Sequence, residues 1–123
     1  MINYKVPNWV KEANLSFDSY DTIPSNIFDD VNTKLDRLQN REPLVSIIIA
    51  AYNEEINILR CLNSLSNTQY QQPIEFIVVN NNSSDHTQYT LDRLNVRKLF
   101  QPIQGCGPAR QMGQEHARGK YIL

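Results

Sequence analysis

The sequence predicts an α/β protein: an open, Rossmann-like parallel sheet flanked by helices and preceded by an N-terminal helical arm. Three observations carry this. Val45 to Ala50 and Ile74 to Val79 are almost continuous apolar runs rich in β-branched residues, the composition of strands buried on both faces. Segments of helical period follow each run. Strands alternating with helices of ~10 residues call for right-handed crossovers and hence a parallel sheet.

The elements follow in order. Met1 to Pro43 reads as an arm of its own, and 44–123 as the α/β unit. Pro7, Trp9, Phe17, Tyr20 and Pro24 have no clear period, so the first part of the arm is expected to be irregular, with its aromatic side chains laid over a neighbouring surface. From Ser25 or Asn26 a helix is predicted. Ile27, Phe28, Val31, Leu35 and Leu38 form one apolar stripe, which needs burial against the domain or against a second copy in a homo-oligomer. Strand one is Val45 to Ala50. Asn53 is a suitable N-cap, with Glu54 and Glu55 in the first turn of a helix reaching Ser66. Strand two is Ile74 to Val79. Asp85 and Gln88 have the spacing of a capping box for a helix over His86 to Leu94. Strand three is Val96 to Phe100. Pro108 suits the first position of a helix reaching Ala117. Lys120 to Leu123 reads as the opening of a fourth strand, which suggests a truncated domain.

Composition excludes several classes. The 123 residues suit one modest core. A formal net charge of -1 leaves no basic footprint for nucleic acid. No window approaches ~18 consecutive apolar residues, the length of a membrane span. Met1 to Lys5 lacks the apolar stretch of a signal peptide. Cys61 and Cys106 are far apart, lack metal-ligand spacing and read as reduced cytosolic thiols.

The corners after the strands carry the chemistry. Ala50 to Glu54, Asn80 to Asp85 and Gln104 to Arg110 are expected on one edge of the sheet, where open α/β folds bind ligands. A planar base would fit between the first two. Tyr52 offers a face for stacking, and the Asn81 amide can both donate to and accept from a uracil or thymine edge. A tyrosine merely covering the sheet edge and a plain asparagine turn are the competing readings. Glu54 and Glu55 would repel a pyrophosphate at that helix start, and no glycine-rich phosphate loop is present. Base and ribose therefore lie nearest, and the phosphates need another partner, such as a divalent cation held by carboxylates. Arg110 follows the glycine-containing loop and is a candidate for base or phosphate, with a surface ion pair the alternative. His86 and His116 have no second ligand at useful spacing, and Ser83, Ser84 and Cys106 lack a companion base.

Taken together, VSIIIAAYNEE (45–55), IVVNNNSSDHT (77–87), GPARQMG (107–113) and ARGKYIL (117–123) resemble the N-terminal half of a family 2 glycosyltransferase with the GT-A fold. The resemblance implies inverting transfer of a sugar from a nucleotide-sugar donor (UDP, TDP or GDP) to a glycan or lipid-linked acceptor hydroxyl, in cell-envelope polysaccharide or glycan biosynthesis. It implies donor contacts from Ala50, Tyr52, Glu54, Asn81 and Arg110. Asn81 stands where the family commonly has an acid, which leaves the base open. A divalent cation (Mn or Mg) is implied for the full-length enzyme. The family's Asp-x-Asp metal motif and catalytic base would follow Leu123, so no catalytic or metal residue is assigned and this chain alone is expected to be inactive. A cytoplasmic location, peripheral at the inner face of the membrane in the full-length protein, is implied. The alternative is a non-catalytic nucleotide-binding or interaction module of the same fold.

Overall fold

The computed structural model describes residues 5–13, 15 and 17–123. The reading of the first residues as lacking a signal peptide, and any position for the Trp9 side chain, lie outside what is described. The elements run α1 (Asn8–Ala13), a single 3-10 turn (Tyr20–Thr22), α2 (Ser25–Leu38), β1 (Val45–Ala51), α3 (Asn57–Ser66), β2 (Ile74–Asn80), α4 (Thr87–Asp92), β3 (Arg97–Phe100), α5 (Cys106–His116) and β4 (Tyr121–Ile122). The four strands form one parallel sheet in the order β3-β2-β1-β4. This is the expected open parallel α/β sheet flanked by helices, and it is consistent with the GT-A arrangement.

Strand pleating divides the core into two layers. Phe76 and Val78 of β2 join Ile47 and the buried faces of α2, α3 and α4 in the larger cluster. Ile77 and Val79 face the other way, onto Ala109 of α5, with Ile48 and Met112 alongside. All seven residues of β2 are buried, as its composition requires of a central strand.

The α2 stripe is buried within the chain: Phe28, Val31 and Leu35 belong to the larger cluster. Polar ties fix its position. Asn32 Nδ2 donates to the Arg93 carbonyl at 2.8 Å, the Asn95 N–H donates to Asn32 Oδ1 at 2.8 Å, and the Arg93 guanidinium lies 3.8 Å from the Phe28 ring centroid.

At the amino edge, buried Glu75 accepts from the Ser46 hydroxyl at 2.6 Å and from the Arg118 N–H at 2.8 Å, with Arg97 3.6 Å away. A buried carboxylate is tolerable because its oxygens are met by donors and a cation.

Several boundaries differ from the sequence reading. A short helix, α1, forms where the arm was expected to be irregular. The helix after β1 starts at Asn57, three residues later than expected, and Asn53 is not its cap. The N–H groups of Asn53, Glu54 and Glu55 are instead drawn across to the second corner. The Asp85–Gln88 capping box does not form, because Asp85 accepts from the Thr87 N–H while Gln88 bonds Asn80 and Asp92. Helix α5 begins at Cys106, so Pro108 is its third residue. Proline is tolerated there because the first four helical N–H groups have no intrahelical partner.

Candidate functional site

The first corner leaves the sheet at Ala51, which is buried, and turns at Asn53, whose φ of 51° lies in the left-handed region that asparagine tolerates. Its polar groups run across to the second corner. The Asn53 N–H donates to Ser83 Oγ at 3.0 Å, and Asn53 Oδ1 accepts the Ser84 N–H at 2.8 Å. The Glu54 N–H donates to Thr87 Oγ1 at 2.9 Å, and the Glu55 carbonyl accepts the Thr90 hydroxyl at 2.6 Å. The two corners are therefore stitched together. The crevice expected between them is spanned by these bonds, and the accessible surface is the outer one, where Tyr52 is 50% exposed. Ala50 is exposed on the same strand end.

The second corner is in turn fastened to the third. Asn81 is buried, and its Nδ2 donates to the carbonyls of Gln101 at 3.1 Å and Ile103 at 2.8 Å. Its Oδ1 accepts the Gly105 N–H at 2.8 Å. Both donors of the amide expected to read a base edge are thus engaged within the chain, and Asn81 acts here as a clasp on the loop between β3 and α5. Asn82, at φ 55°, adds a bond from its Nδ2 to the Pro102 carbonyl, and Gln104 returns one to the Asn82 carbonyl.

Glu54 is half-buried and accepts from Asn57 Nδ2 at 2.8 Å. It lines a cavity of about 370 Å³ with Phe17, Asp18, Asn57, Arg60 and Asp85. Arg110 is exposed and makes no ion pair with any described residue. It lines a different cavity, of about 280 Å³, with Ile48, Gln114, Ile122 and Leu123. That cavity lies where β4 joins β1 on the α5 side of the sheet, the point at which strand order reverses. The corners are brought to one edge, but Glu54 and Arg110 do not share one hollow.

Three carboxylates near the first corner are engaged by neighbours. Glu54 is bound by Asn57. Glu55 lies 2.8 Å from His86 Nδ1, and Asp85 receives the N–H groups of Glu55 and Thr87. Among the described residues no cluster of three His, Cys, Asp or Glu is placed to hold a metal. The donor set of the described residues does not fit a divalent cation. Both cysteines are free and exposed, and among the described residues no helix is long and apolar enough to cross a membrane.

Sequence reasoning missed Asn57, Arg60 and Thr87. The spacing of Asn57 and Arg60, one helical turn apart, is a local signal for a mutual contact. The pairing of Thr87 with the Glu54 N–H spans 33 residues, and nothing local announces it.

The family model described as Glycosyl transferase family 2 matches residues 46–123. The chain is 39% identical over 85 residues to the protein EpsH of Bacillus subtilis, an alignment covering 65% of this chain and 24% of that protein. It is 37% identical over 87 residues to the glycosyltransferase AglE of Haloferax volcanii, covering 65% of this chain and 29% of AglE. It is 36% identical over 88 residues to the hyaluronan synthase of Pasteurella multocida, covering 68% of this chain and 9% of the synthase. The chain thus spans less than a third of the length of each of these relatives.

Proposed function

The chain belongs to glycosyl transferase family 2, and from that premise we propose that it carries the donor-nucleotide half of an inverting sugar transfer from a nucleotide sugar to an acceptor hydroxyl. The observation that carries this reading is the half-exposed Tyr52 ring at the carboxyl end of β1. A base stacked on that ring puts its ribose toward Ala50 and Glu54. Asn81 serves the site by holding the 101–105 loop beside the base, so the base edge meets groups on that loop. Arg110, with no ion pair to a described residue, is the cation proposed for the phosphates.

A UDP, TDP or GDP sugar is the proposed donor class. Two relatives are named as hyaluronan and chondroitin synthases, which supports a glycan acceptor and a role in polysaccharide formation. A nucleotide-sugar donor suits a cytoplasmic site, at the inner face of the membrane where the acceptor is lipid-linked. Glu54 is given to the ribose, and Glu55 and Asp85 are turned to His86 and to the N–H groups of Glu55 and Thr87, so none of the three is assigned as a general base. The 123-residue chain is therefore proposed to bind the nucleotide without transferring sugar, and the full-length enzyme to use a divalent cation held by other residues.

The test is titration of UDP, TDP and GDP into the native chain and into Tyr52→Ala and Tyr52→Phe variants, followed by NMR shifts. Native binding is expected to be weak, around millimolar. The alanine variant should lose about fivefold and the phenylalanine variant almost nothing, since the ring face and not the hydroxyl makes the contact. Equal binding by all three proteins removes Tyr52 from the site.

A further inference from the structure

The residues before β1 lie outside the family match, yet the structure joins them to the first corner twice. Arg60 donates from Nε to the Leu15 carbonyl at 2.8 Å and from Nη2 to the Phe17 carbonyl at 3.1 Å. Its Nη1 donates to Asn57 Oδ1 at 3.0 Å, and Asn57 Nδ2 donates to Glu54 Oε2 at 2.8 Å. One unbroken chain of hydrogen bonds therefore runs from the backbone of the arm to the Glu54 carboxylate. The second tie is aromatic. Tyr20 stacks on His86 with ring centroids 4.9 Å apart and planes within 7°, and His86 Nδ1 lies 2.8 Å from Glu55 Oε2. Each acid of the corner is thus tied to the arm by its own route. Phe17 and Asp18 also supply a wall of the cavity that Glu54 lines.

We propose that Arg60 and Asn57 are positioning residues for Glu54, and that the arm, by holding Arg60, is a working part of the donor site. The inference rests on the reading of Glu54 as a donor contact. Each link fixes the next. Two backbone carbonyls hold the guanidinium fork in one plane, as its fixed geometry favours. The guanidinium then decides which way the Asn57 amide faces, because only its oxygen can accept from Arg60. With the oxygen so placed, the Asn57 NH2 points at Glu54. A glutamate without such a partner samples several rotamers and must be ordered when ligand binds. A carboxylate already held accepts from ribose hydroxyls without that loss, as supporting shells do in other sites.

The experiment is UDP, TDP and GDP titration of the full chain, with melting temperatures recorded in parallel, for Glu54→Ala, Asn57→Ala, Arg60→Met, Arg60→Lys and the Glu54→Ala/Asn57→Ala pair. Asn57→Ala and Arg60→Met should each weaken binding by about fivefold, and Asn57→Ala should add almost nothing once Glu54 is gone, the non-additivity expected of groups acting in series. Arg60→Lys, which keeps the charge and a single donor nitrogen, should recover part of the loss. Asn57 is exposed and its side-chain hydrogen bonds go to Glu54 and Arg60 rather than to the arm, so its variant carries the test if Arg60→Met fails to fold. The inference is overturned if Glu54→Ala weakens binding while Asn57→Ala leaves it native, which would make the relay purely structural. If Glu54→Ala itself changes nothing, or no nucleotide binds, the reading of Glu54 fails and the inference with it.

Discussion

Asn81 Oδ1 accepts the Gly105 N–H at 2.8 Å across 24 residues of sequence, joining the end of β2 to the start of α5. With the two donors to Gln101 and Ile103, one buried amide supplies three bonds to a loop that is otherwise exposed. Asn81→Leu should cost about 1 to 2 kcal/mol, toward the low end for buried partners because water can reach the freed loop groups. Asn81→Asp is the sharper test. Its carboxylate would face two carbonyl oxygens, which raises its folded pKa above the unfolded value. Its stability deficit should therefore be small below about pH 4 and grow as pH rises through the folded value. Chemical denaturation across that range checks both variants; a pH-independent deficit for Asn81→Asp would count against the clasp.

Gly119 packs against β1 with no room for a side chain. A Cβ there would lie 2.6 Å from the Ser46 backbone nitrogen and 2.8 Å from the Val45 carbonyl carbon. At Gly113 the obstruction is the Ile48 side chain, at 2.4 Å. Backbone in a paired strand cannot yield as a side chain can. Gly119→Ala should cost about 3 kcal/mol or more and release β4, whereas Gly113→Ala should cost about 1 to 2 kcal/mol as Ile48 turns aside. Denaturant midpoints rank the two, and amide exchange at Tyr121 and Leu123 reads the loss of β4.

Cys61 is exposed as a residue, but partial desolvation of its thiol pushes it above its ordinary value of 9.0. Burial also raises Tyr70 above 10.0, with a hydrogen bond from Thr68 opposing and the nearby Cys61 adding. The folded chain then holds more protons than the unfolded chain in that range, so stability falls as pH rises. Melting temperature should be flat up to about pH 8.5 with respect to these two groups and decline above it. Cys61→Ser and Tyr70→Phe should each remove part of the decline. Cys61 should also alkylate more slowly than a free small thiol at about pH 8.

Glu54 and Glu55 at the first corner are paired with Asn57 and His86, and Asp85 at the second with Thr87. Adding Mg²⁺ or Mn²⁺, or removing metal with a chelator, should change nucleotide affinity of the 123-residue chain by less than about twofold, within the weak range set by base and ribose contacts. A marked gain with metal would mean that these carboxylates let go of their partners and form a cation site.

The sequence by itself determined the sheet. Runs such as Val45 to Ala50 and Ile74 to Val79 cannot be solvated on either face, so they must lie side by side under helices, and their polar corners must gather at one edge. It also determined which face of α2 is buried, because Phe28, Val31 and Leu35 repeat at helical spacing. Tertiary structure decided which groups the corner residues touch. An asparagine has the same donors and acceptor whether it reads a base or ties a loop, and only the arrival of Gln101, Ile103 and Gly105 engages Asn81. Likewise, Asn53 looks like a cap until Ser83 and Ser84 approach and take its polar atoms. Local sequence fixes the periodicity of apolar burial, which repeats within a few residues. The partner of a polar side chain is set by which distant segment comes within about 3 Å, and that depends on the whole fold.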